Sequence, residues 1–433
     1  MNIHEIEANT LVSLTTKTQT FEGRLLPQEG DYVVLKLSSG YNIGIHPKRI
    51  ESVQEIAEES HDLTTTELIA QDTSLPSVSI MHTGGTIASK VDYKTGGVIA
   101  DFEPEALLSM FPELSDIAYV ASEFLGNMFS DDFRFSHFNK IAQAIHKQAQ
   151  KGVQRFIVTS GTDFLHYLSA GLSYMLKDLP VGVMVVGSQR SSDRGSSDSA
   201  MNLICATQFL ATNNFYGVGV CMHENTDDDT CLIIPGINAR KMHSSRRDAF
   251  KPVNAAPYAR VDYQKKEVTM LRDIPQIKEG KGVPAGIGLL KEDLKIGLLY
   301  SHPNMYPEEF LAYKNFDGLV IAGSGLGHIP ITDVDDDTKG HKKNLAAITE
   351  LLSRMPVVMT TQTFYGRVHL NVYAPARSLR DAGIIGHLNG LIPETSYMKL
   401  AWLLSNNEKK DVAGLFEKDF VGEKDSITEK HFY

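Results

Sequence analysis

From Ser77 onward the chain is a succession of short apolar runs without polar alternation, at residues 78–81, 156–159, 181–186, 217–222, 296–300, 318–322 and 357–361. A strand with one wet face alternates apolar and polar residues, whereas a strand covered on both faces does not. Between the runs lie helix-period apolar faces. Phe138, Ile141 and Ile145 are spaced i, i+3, i+7, as are Leu165, Leu168 and Leu172. Doubly covered strands separated by helices predict a mostly parallel α/β sheet. A Gly- and Lys-rich stretch at 277–288 (IKEGKGVPAGIG) interrupts the pattern and reads as an interdomain connection. The α/β part therefore divides into a larger domain at 77–275, a connector at 276–294 and a smaller domain at 295–433.

The first fifty or so residues obey a different rule. Short β-branched or aromatic runs at 21–26, 32–37, 41–45 and 50–53 are punctuated by Gly23, Gly30, the Ser38-Ser39-Gly40 turn and Gly44. A turn of that kind between two strand-like runs signals a hairpin. The reading is a small all-β barrel of SH3 or Sm type at 1–53. Residues 54–76 then carry Glu55, Glu58, Glu59, Asp62, Glu67 and Asp72 with no Lys or Arg, and Pro76 ends them. This is an acidic linker.

Charge and cysteine usage limit the partners. The chain has 42 basic and 53 acidic residues, a net of −11, so a broad face gripping nucleic acid alone is not expected. Cys205, Cys221 and Cys231 are too few and too scattered for a disulfide framework, and they fit a reducing compartment. The N-terminus shows no basic patch followed by an apolar run, and no apolar stretch approaches ~20 residues. A cytoplasmic protein with no membrane partner is expected.

Ligands of open α/β sheets bind beyond the carboxyl ends of the strands. Three segments draw attention there. Thr83-Gly84-Gly85-Thr86 follows the run at 78–81, and two glycines let the backbone turn sharply and present the Thr86 hydroxyl. Ser160-Gly161-Thr162-Asp163 lies between a strand and a helix, where hydroxyl and carboxylate side chains are also ordinary helix caps. The basic loop Ala239-Arg240-Lys241-Met242-His243-Ser244 matters only if Lys241 approaches Thr162, because a neutral lysine can deprotonate a hydroxyl. Asp333, Asp335 and Asp337 open like a calcium loop, but Thr338 and Asn344 occupy its glycine and glutamate positions. The segment 323–327 (GSGLG) follows a strand, but His328 fills the last glycine slot of a dinucleotide fingerprint, so a tight strand-to-helix turn is expected. No metal and no cofactor are expected in this chain.

Taken together the segments form a pattern. TGGTIAS (83–89), SGTD (160–163) and RKMHSSRRDAF (240–250) occur in the order and spacing of the bacterial-type L-asparaginase family, which the chain resembles. GSQRSSDRGSSDSAMNL (187–203), DDDTCL (227–232), TFYGRVHLNVY (363–373), PETSYMKLAWLL (393–404) and the barrel phrase LKLSSGYNIGI (35–45) are similar to one branch of it, the archaeal D-type subunits of glutamyl-tRNA(Gln) amidotransferase (GatD). The resemblance covers nearly the whole chain. It implies an asparaginase-like two-domain core of mostly parallel sheets behind the small barrel. It further implies a glutaminase that releases ammonia from L-glutamine for a partner, the amidotransferase's E-type subunit, which binds Glu-tRNA(Gln) and uses ATP and Mg to amidate it. A homodimer within a heterotetramer is implied as well, with tRNA contact mainly through the E-type partner.

By motif match Thr86 is the favoured nucleophile, although either threonine could form the acyl-enzyme. Thr162, Asp163 and Lys241 make a second hydroxyl–carboxylate–lysine group. Tyr93, in the segment 92–97 (DYKTGG), matches a mobile tyrosine that closes over the first threonine. In NMFSD (127–131) Ser130 would hold the substrate carboxylate, and Asp131 with Asp163 its ammonium, while N–H groups near Gly85 and Gly161 would stabilise an oxyanion. The chain departs from the family pattern at Ser160, where a histidine is usual, at Phe164-Leu165, where a Thr-Met pair is usual, and at Asp131, one carbon shorter than its usual counterpart. Two other functions fit parts of the pattern: a stand-alone asparaginase acting on free amino acids, and a non-catalytic assembly protein.

Overall fold

Burial alternating residue by residue shapes the N-terminal unit. Strands β1 (Leu11–Thr16), β2 (Thr20–Leu25), β3 (Val33–Leu37), β4 (Asn42–Ile45) and β5 (Ile50–Glu55) form an antiparallel sheet in the order β4-β3-β2-β1-β5. Their inward residues, Val12, Leu14, Leu25, Val33, Leu35, Ile45 and Val53, make one apolar cluster around which the sheet wraps. Sequence patterning misses β1, whose inward Val12 and Leu14 alternate with serine and threonine, and ends the last strand two residues early. The computed structural model describes the chain except for residues 1–5, 28–30, 38–41, 57–70, 86, 88, 92–97, 101–103, 193, 278–281 and 424–433. The Ser38-Ser39-Gly40 turn and most of the acidic linker lie outside the described residues. Gln71, at the linker's end, exchanges two hydrogen bonds with the backbone of Val120, at 2.7 and 3.1 Å.

The second unit contains β6 (Ser77–His82), β7 (Ser89–Val91), β8 (Val98–Ala100), α1 (Pro104–Met110), β9 (Tyr119–Phe124), α2 (Phe135–Ala149), β10 (Arg155–Thr159), α3 (Leu165–Met175), β11 (Gly182–Val186), α4 (Ser199–Thr212) and β12 (Gly217–His223). Then come β13 (Thr230–Pro235), β14 (Ala239–Lys241), β15 (Phe250–Pro252), β16 (Ala259–Asp262) and β17 (Glu267–Met270). Eight of these strands form one sheet in the order β17-β16-β13-β12-β11-β10-β6-β9. From β9 to β12 it is parallel, and β13, β16 and β17 extend it antiparallel. The apolar runs at β6, β10 and β11 are buried along almost their whole length, as expected for strands with helices on both faces.

Register fixes the working edge. His82, Thr159 and Val186 lie side by side at the carboxyl ends of β6, β10 and β11. The loops that leave these three residues therefore start from one edge of the sheet. The third unit is a parallel sheet of β18 (Ile296–Tyr300), β19 (Gly318–Gly323) and β20 (Val357–Thr361) with α5 (Pro307–Leu311), α6 (His341–Leu352), α7 (Ala374–Asp381), α8 (Pro393–Asn406) and α9 (Val412–Phe416). After β19 the glycine-rich turn closes on itself through a bridge between Ser324 and His328, so it does not lead straight into a helix.

A single apolar core joins the second and third units. Leu168 and Leu172 of α3, Phe138 and Ile141 of α2, Val320 of β19, Val358 of β20 and Met398, Leu400 and Trp402 of α8 belong to one buried cluster. Asn254 adds a polar tie across the same junction. Its side chain donates to the carbonyls of Gly366 and Gly390 and accepts from the Gly366 N–H, at 2.8 to 2.9 Å.

Candidate active site

The loops from β6 and β10 meet backbone to backbone. Thr83 donates to the Thr159 carbonyl through its Oγ1 at 2.7 Å and its N–H at 3.3 Å. Gly84 and Gly85 follow with φ of 115° and 85°, a region that L side chains rarely occupy. A Cβ on Gly85 would stand 2.8 Å from the Gly161 nitrogen. A Gly85→Ala variant must push the two loops apart, and a misplacement of that scale should lower kcat about tenfold or more. Steady-state turnover of the purified variant checks this. Thr86 and Tyr93 lie outside the described residues.

The segment carrying Lys241 is a short strand rather than the loop read from the sequence: β14 pairs antiparallel with β15, Lys241 opposite Phe250. From there Lys241 Nζ donates to Thr162 Oγ1 at 2.8 Å and to Asp163 Oδ1 at 2.8 Å. The lysine side chain is only 9% exposed, whereas that of Asp163 is 70% exposed. The amine and hydroxyl are thus largely withdrawn from water and the carboxylate stands at the mouth. A hydroxyl within hydrogen-bond reach of an amine, which a carboxylate in turn orients, has the layout of an activated nucleophile or proton relay.

Ser130 is buried behind this group, and its Oγ accepts from the Phe164 N–H at 3.1 Å. A Cβ on Gly161 would come within 3.1 Å of the Ser130 nitrogen, so the serine abuts the Thr162 loop. Asp131 is exposed and, with Ser130 and Phe164, lines an adjoining cavity of about 500 Å3. Ser160 is buried and donates to the Gly161 carbonyl at 3.1 Å. Two buried histidines lie nearby. Burial pushes His82 down to about 4 and His166 to about 3, the latter with help from the positive charges of Arg240 and Lys241. Among the described residues no group of three or more His, Cys, Asp or Glu is arranged to hold a metal ion.

The loop after β11, quoted above only as a phrase of the resemblance (187–203), contributes to the site in a way that sequence reasoning misses. Gly187 approaches Thr162 so closely that a Cβ there would meet its Cγ2 at 2.8 Å. The loop is shaped by Asp198, fully buried, which accepts from Ser188 Oγ at 2.9 Å, the Gln189 and Arg190 N–H groups at 3.0 Å and Asn202 Nδ2 at 3.0 Å. The signal is present in the chain: one aspartate and one asparagine, four apart, after a strand and a run of small polar residues.

Comparison with known proteins covers all three units. The chain matches the family model for the GatD N-terminal domain over residues 6–56, that for asparaginase, N-terminal, over 77–276, and that for the glutaminase/asparaginase C-terminal domain over 295–416. The D-type subunit of glutamyl-tRNA(Gln) amidotransferase from Thermococcus kodakarensis is 39% identical over 413 residues, which span 93% of this chain and 90% of that protein. Its counterpart from Methanococcus maripaludis strain C7 is 36% identical over 425 residues, 96% of this chain and 98% of its own. Among solved structures, the thermostable L-asparaginase from Thermococcus kodakarensis aligns with a TM-score of 0.68 and 27% identity, over 81% of this chain and all of that one. L-asparaginase I from Vibrio cholerae aligns over 81% of this chain and 99% of its own, with a TM-score of 0.67 and 24% identity, a likeness of fold.

Proposed function

The chain belongs to the GatD family, the D-type subunits of glutamyl-tRNA(Gln) amidotransferase, and on that premise we propose that its asparaginase-like core hydrolyses the side-chain amide of L-glutamine to supply ammonia for Gln-tRNA(Gln) synthesis. The observation that carries this reading is the position of Lys241 Nζ, 2.8 Å from both Thr162 Oγ1 and Asp163 Oδ1. In the proposed reaction the Thr86 hydroxyl adds to the amide carbon while its proton passes to the Thr162–Lys241 group. The C–N bond breaks, the nitrogen takes up that proton and leaves as ammonia, and an acyl ester remains on Thr86. Water then cleaves the ester, giving glutamate and restoring the hydroxyl. Base assistance of this kind is worth roughly 10²–10⁴-fold. Gly85 and Gly161 N–H groups would receive the oxyanion, Ser130 the substrate carboxylate, Asp131 and Asp163 its ammonium, and Tyr93 would close the site.

The partner in this reading is the amidotransferase's E-type subunit, which grips the tRNA and uses ATP and Mg, while this chain forms the central homodimer of a heterotetramer. A net charge of −11 suits a chain that leaves most tRNA contact to its partner. No helix among the described residues is long and apolar enough to cross a membrane, and we place the complex in the cytoplasm. A second reading, a free-standing asparaginase, draws on the solved L-asparaginase that the chain covers end to end. It leaves the N-terminal sheet at 6–56 without a task.

The test is ammonia release and Gln-tRNA(Gln) formation from glutamine, with and without the co-purified E-type partner, Glu-tRNA(Gln) and ATP. Glutamine-driven formation of Gln-tRNA(Gln) in the full mixture is expected. Strong asparagine hydrolysis by this chain alone, with no transamidation in the mixture, would overturn the reading.

A further inference from the structure

Next to Lys241 on β14 stands Arg240, and consecutive strand residues project to opposite faces. Lys241 reaches Thr162 and Asp163, whereas Arg240 reaches away from them. Its guanidinium lies 3.0 Å from Glu394 Oε1 and 4.8 Å above the ring of Phe364. Glu394 sits in the first turn of α8, a helix of the third unit. Against the same carboxylate, at 3.9 Å, lies Nε2 of His166 from α3, the helix that starts just after Asp163. The side chains of Arg240, Glu394 and His166 are 14%, 7% and 9% exposed.

This pair is ill suited to a purely stabilising role. Glu394 Oε2 and His166 Nδ1 are buried without a hydrogen-bond partner among the described residues. A buried ion pair with an unsatisfied oxygen is commonly no more stabilising than an apolar pair of the same volume. Its other property is a fixed pair of charges, one of them on the residue next to Lys241. The groups facing the pair are His166 and Tyr167 of α3 and Tyr300 at the end of β18, which is hydrogen-bonded to Arg240; Asp163 and Lys241 act in turn on His166, and Tyr397 of α8 on Tyr167. His166 is held neutral, its proton affinity lowered by burial and then by both cations of β14.

We infer that Glu394 and Arg240 are positioning residues for the Thr162–Asp163–Lys241 group: they brace β14 against α8 from behind and set the local charge that the Lys241 amine meets. The inference rests on the reading of Lys241 as the proton acceptor. Through it the third unit takes part in the chemistry of the second.

The signs of the two charges make a test. Glu394→Gln leaves the Arg240 cation uncompensated, which disfavours the Lys241 ammonium and lowers its pKa. Arg240→Gln leaves the Glu394 anion uncompensated, which favours the ammonium and raises it. Shifts of about half a pH unit or more, opposite in direction, are expected, and the double variant should fall between them. Glu394→Asp should restore the wild-type value. Two measurements read this in the full complex: the acid limb of kcat/KM for glutamine, and the titration of Lys241 followed by competitive acetylation with peptide mass spectrometry. The second needs no turnover. An inactive wild-type complex would therefore strike at the glutaminase reading, while the labelling still decides the role of the pair. Lys241 titrating alike in all variants, or moving the same way in both single variants, would overturn the inference. If Glu394→Gln does not fold, Arg240→Gln decides alone: a rise supports the inference and no rise overturns it.

Discussion

Lys241→Ala lowers glutamine-driven formation of Gln-tRNA(Gln) by at least about 10²–10⁴-fold, while transamidation from added ammonia continues. The size follows from the part the lysine takes in the proposed reaction. There its Nζ, 2.8 Å from Thr162 Oγ1, is the partner through which Thr162 sheds or takes up a proton, and the same atom meets Asp163. Without the amine, a threonine hydroxyl is a poor nucleophile and a poor relay. The fold should tolerate the change, because Asp163 is largely in water and remains solvated when its partner is gone. Kinetics with glutamine and with ammonium chloride, on matched complexes, check it. Loss of both activities would assign Lys241 to assembly instead of chemistry.

Glu423→Gln should destabilise the chain by about 3–5 kcal/mol, the usual cost of leaving one partner of a buried ion pair without the other. The side chains of Lys399 of α8 and Glu423 are 1% and 2% exposed, with 2.6 Å between Nζ and Oε1. The ammonium also donates to the Lys418 carbonyl at 2.8 Å and lies 5.1 and 5.5 Å from the rings of Phe416 and Phe420. Glu423 in turn receives the N–H groups of Phe420 and Val421 at 2.9 and 2.7 Å. The pair therefore fastens the segment after α9 onto α8. The single tryptophan, Trp402, packs at 5.1 Å against Phe420 and at 5.7 Å against Tyr174, so its fluorescence reports on this joint. Urea unfolding followed by that fluorescence should show an earlier transition for Glu423→Gln. Replacing both residues, as Lys399→Met with Glu423→Gln, removes the unpaired ammonium while the amide oxygen still accepts from Phe420 and Val421, and should recover part of the loss. A single variant as stable as wild type would mean that the ammonium finds water in place of the carboxylate.

Which parts of the fold can be read in the sequence follows from burial. The runs at β6, β10, β11 and β12 and at β18, β19 and β20 stand out because both faces of those strands are covered, or nearly so. Strands β16 (ARVD) and β17 (EVTM) are not visible there. They lie towards the sheet edge, carry polar and exposed residues, and resemble loops in composition. At the site, the glycines and the threonine–aspartate pair are visible locally, but helix capping explains Thr162 and Asp163 equally well. Lys241 has no local mark at all. It reaches Thr162 from 79 residues away, and only the ordered set of motifs connects them. The Arg240–Glu394 pair is further out of reach, since its members belong to different units: each lies in a phrase that carries the family resemblance, but nothing in either phrase says that they meet.

The shared core between the second and third units has a consequence for how such a chain can change. Two family models meet near residues 276–295, yet Leu168 and Leu172 on one side and Met398, Leu400 and Trp402 on the other bury one another. Cutting there would leave two pieces, each with a raw apolar face. The boundary that sequence comparison draws is thus no seam for splitting, swapping or inheriting the halves. An attachment that leaves this shared core intact has to sit outside it, as the N-terminal sheet does with an apolar cluster of its own.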